Sequence, residues 1–132
     1  MRQGFRDALK ATTRTVELPL EPENFASALD RLWSGVKGRA GLIFARAGQA
    51  VGSLGHFAIR RGLRVPAEFA LISLADDPFL RHIQPTIARY RRDEVGLARL
   101  LSALVIRAAT GNALPPKMSL VMPEFERGET MP

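Results

Sequence analysis

The stretch from Gly41 to Asp77, GLIFARAGQAVGSLGHFAIRRGLRVPAEFALISLADD, decides the fold. It contains two short apolar runs, Gly41–Ala45 and Phe69–Leu74, which are too short for helices and predict buried strands. Between them, apolar residues recur at helical spacing from Ala50 to Ala58, which predicts a helix with one face on a core. A strand, a helix and a strand within about 35 residues predict a βαβ unit, from which parallel sheets are built.

The carboxyl ends of the two predicted strands mark the candidate site, because open sheets of this kind bind ligands beyond those ends. The ends fall at Arg46 and Asp76. Asp76 can accept hydrogen bonds from a polyol, and Arg46 can bind a carboxylate or phosphate through two parallel hydrogen bonds. Two alternatives stay open: Arg46 pairs with Asp76, and Asp77 merely caps a turn with Pro78. Tyr90, at the end of the next predicted strand, either stacks on a ligand or is an ordinary interface aromatic.

The composition predicts a soluble chain of one domain at most. The 132 residues include 19 Lys and Arg against 13 Asp and Glu, a formal charge of +6. The basic residues are scattered and no aromatic pattern interleaves them, which favours solvated surfaces over nucleic-acid binding. Cysteine is absent, which excludes disulfides and thiolate chemistry. No apolar run reaches membrane-spanning length and no apolar signal region opens the chain, so neither a membrane nor export is expected.

The rest of the chain alternates between helical and extended patterns, which is typical of the α/β class. The predicted helices cover residues 2–12, 25–36 and 93–109, and the further predicted strands cover 13–18, 85–90 and 118–122. Residues 79–84 are predicted to form a loop or a single turn. The tail from residue 124 to residue 132 is polar and carries no predicted element.

No catalytic set appears in the sequence. His56 and His82 lie in different contexts, and no motif joins either of them to a nucleophile. A nucleophile elbow, a phosphate-binding loop and paired metal-ligand spacing are also absent. Gly48, Gly52 and Gly55 depart from the spacing of a dinucleotide-binding loop, and close helix packing explains them better. We therefore expect neither an enzyme nor a cofactor or metal.

Several segments, taken in order, closely resemble the effector-binding domain of lactose-repressor (LacI/GalR) type transcription regulators. These segments are Gly4-Phe5 with Ala8-Leu9, Gly41–Ala45, Gly62–Pro66, Leu71–Asp77, Pro85–Ile87, Gly96 and Glu124–Thr130. The last of them is similar to the family's usual R-G-S-T ending. Together they cover nearly the whole chain.

The resemblance implies a periplasmic-binding-protein-like fold of type I, in which two α/β subdomains close on a small effector. It also implies a homodimer and an amino-terminal headpiece that reads operator DNA. By this analogy residues 1–132 are the carboxyl-terminal part of the domain, a Rossmann-like subdomain that lacks its first strand. The headpiece and the amino-terminal subdomain are missing. The helix over 93–109 belongs to the missing subdomain, so we expect its apolar face to lack a partner and to promote association.

For individual positions, the resemblance implies an effector site at three residues. Asp76 matches the family's ligand-binding aspartate, whereas Arg46 stands where the family has a sugar-binding asparagine. Tyr90 falls on the position of a polar contact residue. Because an arginine replaces the asparagine, an acidic or phosphorylated effector is a hypothesis beside a neutral sugar. The family's dimer contacts map near Val51, Leu54 and the loop that begins at Phe79.

The sequence thus predicts the effector-binding and dimerisation portion of a cytoplasmic regulator, which performs no reaction. Operator DNA would be bound only through the missing headpiece. One alternative is a fragment of a solute-binding protein of a transporter, which shares the fold. Another is a small α/β enzyme with Asp76 as its base, which would need a partner acid that the sequence does not supply.

Overall fold

Helices and strands alternate along the residues that the computed structural model describes, 21–112 and 121–132. The helix predicted over residues 2–12 and the strand predicted over 13–18 lie outside these residues. So does most of the strand predicted over 118–122, whose last two residues are not part of a strand. The chain divides after Lys37 into two compact units.

The described part of the first unit is a single helix. A 3-10 turn, Pro22–Asn24, leads into helix α1, Phe25–Ser34. The helix ends where the N–H of Gly35 donates to the carbonyl oxygens of the last turn. Ala28 and Leu29 are buried. The helix predicted over 25–36 is confirmed.

The second unit, residues 38–132, contains a mostly parallel four-stranded sheet in the order β1-β2-β3-β4. The strands are β1 (Ala40–Phe44), β2 (Phe69–Ser73), β3 (Ala88–Arg91) and β4 (Glu124–Glu126). The first three run parallel, and β4 pairs antiparallel with β3. The predicted α/β class and parallel sheet are therefore confirmed. The sequence does not predict β4, which forms by pairing with β3 although glutamate has a low intrinsic preference for strands.

Two helices and a short turn connect these strands. Helix α2, Ala47–Leu54, continues as a π-helical segment, Gly55–Arg60. The close helix packing expected at Gly48 and Gly55 is wrong, because a Cβ at either position would meet nothing within 4 Å. A 3-10 helix, Pro78–His82, follows β2, as the predicted turn requires. Helix α3, Glu94–Ala109, begins where the Asp93 side chain accepts a hydrogen bond from the N–H of Gly96 at 2.9 Å.

The core of the second unit lies between α2 with its π-helical continuation and one face of the sheet. Alternate residues of β2 are buried, as the period of two in a strand requires. The rings of Phe57 and Phe69 pack with centroids 5.4 Å apart. The largest fully buried apolar side chains of this unit are Phe57, Phe69, Leu71, Leu80 and Ile87.

Helix α3 contributes no buried residue. Val105 and Ile106 expose 66% and 62% of their surface, and Val95 and Leu101 are also exposed. The described part of the chain does not bury these apolar side chains. Whether this helix face has a partner stays a prediction.

Thr130 of the carboxyl-terminal segment is fully buried and hydrogen-bonds to both β2 and β3. The Thr130 hydroxyl donates to the carbonyl of Leu71 at 2.7 Å and accepts from the N–H of Ala88 at 2.9 Å. Its backbone accepts from the N–H of Leu71 and donates to the carbonyl of Thr86. One residue thus completes the hydrogen bonding of both strands.

Glu129 and Gly128 hold the same segment against the residues before β3. The Glu129 carboxylate accepts hydrogen bonds from the N–H of Thr86 at 2.8 Å and from its hydroxyl at 3.0 Å. These hydrogen bonds hold the pKa of Glu129 below its ordinary value. A Cβ on Gly128 would lie 2.6 Å from the carbonyl carbon of Ile87, so this close approach requires glycine.

Candidate functional site

The carboxyl ends of β1 and β2 lie side by side, because Phe44 pairs with Ser73. Arg46 is the residue immediately before α2, and it is exposed. Asp76 follows β2 by three residues and exposes 11% of its side-chain surface. The structure therefore places Arg46 and Asp76 at the same edge of the sheet, as the βαβ pattern predicts. Their contact with a ligand stays a prediction.

Asp76 forms an ion pair with Arg89, a residue of β3 that the sequence did not single out. The Arg89 Nε atom lies 3.1 Å from Asp76 Oδ1, and the Arg89 side chain is only 6% exposed. The alternative in which Arg46 pairs with Asp76 is wrong. The register between β2 and β3 is the reason. Ser73, the last residue of β2, pairs with Arg89, which places Arg89 next to the segment that continues to Asp76.

The contact between Asp76 and Arg89 is electrostatic and is not a well-formed hydrogen bond. Both Asp76 Oδ1 and Arg89 Nε are buried, and neither has a hydrogen-bond partner among the described residues. At 3.1 Å the atoms are close enough to hydrogen bond, so the N–H direction is what is unfavourable. Charges removed from water at such a site attract strongly, and removing one partner alone would leave an uncompensated buried charge.

Arg89 also binds a second carboxylate, on β4. Its Nη2 atom donates to Glu126 Oε1 at 2.7 Å, a short charge-assisted hydrogen bond. Arg89 and Glu126 are directly opposite each other in the antiparallel pair. The guanidinium therefore lies between two carboxylates, Asp76 and Glu126, and the three side chains carry a net charge of about −1 at neutral pH.

A similar pair lies two residues further along the same two strands. Arg91 Nη2 donates to Glu124 Oε2 at 3.0 Å, again directly across the strands. This hydrogen bond raises the pKa of Arg91 above its ordinary value. Both side chains are exposed, at 48% and 76%, so water can replace the contact at little cost.

Tyr90 lies between the two arginines in sequence and points to the opposite face of the sheet, as strand alternation requires. Its ring packs on that of Phe125 of β4, with centroids 5.2 Å apart and an interplanar angle of 56°. The structure therefore brings Arg89 to Asp76 and does not bring Tyr90 there. Contact of Tyr90 with a ligand stays untested.

Asp77 caps the turn after the site. Its side chain accepts a hydrogen bond from the N–H of Phe79 at 3.2 Å, at the start of the 3-10 helix. The interpretation of Asp77 as a turn cap is confirmed. Its neighbour Asp76 is the one that contacts Arg89.

The predicted dimer residues differ in what they can offer to a partner. Phe79 exposes 40% of its surface and Val51 is half-buried, so both have surface available. Leu54 is only 5% exposed. Its side chain is already buried within the chain, and its assignment to a dimer interface stays a prediction.

Within residues 21–112 and 121–132, no group of three or more histidine, cysteine or acidic side chains is placed to hold a metal ion. In the same part of the chain, none of the helices combines the length and apolar character that crossing a membrane requires.

The sequence matches the family model described as a periplasmic binding protein-like domain, over residues 1–131. No curated protein matches the sequence. Three solved structures resemble the fold, and the chain spans less than half the length of each.

The first resembling structure is a LacI family transcriptional regulator from Bifidobacterium animalis subsp. lactis. Its TM-score is 0.75 at 22% identity, over 89% of this chain and 43% of that one. The second is the transcription regulator CcpA of Lactococcus lactis, with a TM-score of 0.71 at 18% identity over 83% and 40% of the two chains. The third is a LacI family transcriptional regulator from Mycobacterium smegmatis, with a TM-score of 0.64 at 24% identity over 88% and 44%.

A mostly parallel sheet connected by helices defines the class of open α/β domains. Within that class, the chain belongs to the periplasmic binding protein-like domain family, as the match over residues 1–131 shows. The fold is the one seen in LacI family transcription regulators.

Proposed function

We propose that this chain is the carboxyl-terminal part of the effector-binding and dimerisation domain of a LacI-type transcription regulator. The observation that carries the proposal is the nearly buried Asp76 at the carboxyl edge of the parallel sheet, the edge at which the exposed Arg46 also lies. Family membership and the likeness to three transcription regulators support it. The regulator would act in the cytoplasm, bind operator DNA through a headpiece outside this chain, and catalyse no reaction.

The effector is a sugar or an acidic or phosphorylated metabolite, and Asp76 and Arg46 have different roles in binding it. Asp76 accepts hydrogen bonds from hydroxyl groups of the effector. Arg89 is balanced by two carboxylates, so Arg46 is the cation better placed to bind an acidic group. Tyr90 would contribute only if the ligand reached the other face of β3.

A thermal-shift screen tests this proposal on a chain extended by the amino-terminal half that the solved structures contain. The ligands are neutral sugars, sugar phosphates and organic acids. A ligand at about 100 times its dissociation constant adds roughly 2.7 kcal/mol of stability, which is readily measured. We expect D76N to abolish the shift for every ligand, and R46A to abolish it for acidic ligands only. A screen in which no compound shifts the midpoint contradicts the proposal.

Dimerisation is proposed to use Val51 and Phe79. Both residues retain apolar surface, and they follow β1 and β2 in the chain. Phe79→Ser should weaken dimerisation of the extended chain in analytical ultracentrifugation, whereas a change at the exposed Arg60 should not. Equal dissociation constants for the wild type and Phe79→Ser would contradict this assignment.

The second candidate is a solute-binding protein of a transporter, because the family description covers this class as well. The upstream sequence of the gene separates the two functions. A helix-turn-helix supports the regulator, and an export signal supports the transporter.

A further inference from the structure

The contacts of Arg89 connect the candidate effector site to β4, the strand that the sequence did not predict. Asp76 lies at the site, Arg89 lies on β3, and Glu126 lies on β4. The two contacts, 3.1 Å and 2.7 Å, form a continuous chain of three charged side chains. Arg89 is the member that touches both others, so its position depends on both carboxylates.

The two contacts of Arg89 are unequal. The Glu126 contact is a short hydrogen bond, whereas the Asp76 contact lacks hydrogen-bond geometry at the buried Nε and Oδ1 atoms. A charge-assisted hydrogen bond is directional and holds a guanidinium in one orientation. Glu126 therefore orients Arg89, and Arg89 presents its charge to Asp76 from that fixed orientation.

We propose that Arg89 and Glu126 are positioning residues of the effector site, which hold the Asp76 carboxylate in the place where it meets the effector. The effector part of this inference rests on the proposed function, whereas the dependence of Asp76 on Glu126 is a property of the folded chain alone. Neither positioning residue needs to touch the effector. Arg89 acts by fixing the charge beside Asp76, and Glu126 acts through Arg89.

The chain contains a matched control for this inference. Glu124 binds Arg91 across the same two strands at 3.0 Å, as Glu126 binds Arg89 at 2.7 Å. The pair of Arg91 and Glu124 is exposed, and no contact joins its side chains to that of Asp76 at ion-pair distance in the described residues. Removing either glutamate breaks one cross-strand ion pair. Arg91 interacts with Asp76 only through a weak electrostatic effect, so removal of Glu124 should affect Asp76 much less than removal of Glu126.

The test is the side-chain carboxyl ¹³C resonance of Asp76, measured by NMR on the 132-residue chain. We expect E126L to move this resonance and E124L to move it much less. E126Q, which keeps an acceptor for Arg89, should return the resonance part of the way to its wild-type position. The Glu126 side chain is 42% exposed, so we expect the substitutions at this position to be compatible with folding. If E126L does not fold, E126Q against E124Q makes the same comparison.

An unmoved Asp76 resonance in folded E126L, or an equal movement in E124L, overturns the inference. A parallel titration with D-glucose and D-glucose 6-phosphate on the extended chain tests the effector part. We expect E126L to weaken binding of whichever sugar binds by roughly tenfold, which corresponds to about 1.4 kcal/mol of binding free energy. We expect E124L to leave the affinity unchanged. Equal weakening by both variants overturns the effector part. If Asp76 responds to E126L and neither sugar binds, the positioning role stands and the proposed function fails for these sugars.

Discussion

Replacing Thr130 with valine tests how the carboxyl-terminal segment stabilises the sheet. Valine has nearly the same shape as threonine, so the substitution removes a hydroxyl group and leaves the packing in place. In the native protein this hydroxyl donates to the carbonyl of Leu71 and accepts from the N–H of Ala88. Leu71, Ala88 and Thr130 are all fully buried. Water therefore cannot replace the lost partner.

The expected cost follows from the two backbone groups that lose their hydrogen bonds. A buried donor or acceptor left unsatisfied costs about 1–3 kcal/mol, so T130V should lower the free energy of unfolding by about 2–6 kcal/mol. T130S keeps the hydroxyl and removes one methyl group, which should cost about 1 kcal/mol. Since a domain of this size is stable by about 5–15 kcal/mol, the valine variant should be close to unfolding.

Urea denaturation followed by circular dichroism measures the difference, with the midpoint lowered and the slope unchanged. Thr110→Val is the control, because the Thr110 hydroxyl donates to a carbonyl in an exposed setting, where water can substitute. Its effect should stay within about 0.5 kcal/mol. If T130V proves no more destabilising than T130S, the buried hydroxyl does not stabilise the sheet.

Three further predictions concern the same unit. Gly128→Ala should destabilise it by several kcal/mol, because the new Cβ would collide with the backbone around Ile87. Gly48→Ala in α2 should instead stabilise it by about 0.5–1 kcal/mol, since a Cβ at Gly48 would meet nothing within 4 Å. If the two glycine variants shift the urea midpoint in the same direction, the predicted difference between the two positions is refuted. The folded pKa of Glu129 lies below the ordinary value of 4.5, so its carboxylate adds stability above about pH 4.5 that is lost as the pH falls through the folded pKa. E129Q should therefore be less stable than the wild type at pH 7, and the difference should shrink on acidification below pH 4.5; a difference that is constant from pH 7 to pH 3 would count against the contact with Thr86. Replacing Val105 and Ile106 of α3 with glutamine should change the free energy of unfolding by less than about 0.5 kcal/mol, because neither side chain is buried. The same change should reduce self-association in light scattering. A large loss of stability would mean that this face is covered after all.

The local elements of the second unit could be predicted because each depends on residues close in sequence. The apolar runs of β1 and β2, the helical spacing between them and the glycines after the helices carry their signals within a few residues. The edge that holds Arg46 and Asp76 followed from these elements, since parallel strands place their carboxyl ends together.

The partner of Asp76 could not be predicted in this way. Sequence alternation puts Arg89 and Tyr90 on opposite faces of β3, but it does not say which face meets Asp76. That depends on the register between β2 and β3, where Ser73 pairs with Arg89.

The sequence by itself determined the α/β class, the βαβ unit and the family resemblance, because these rest on local periodicity and on motifs in a fixed order. Only the tertiary structure decided that Glu124–Glu126 forms a strand, that Thr130 completes the hydrogen bonds of β2 and β3, and that Arg89 lies between two carboxylates. Each of these contacts joins residues that are distant in the chain. Their partners are selected by strand register and by the need to satisfy buried polar groups, and neither is encoded within a single segment.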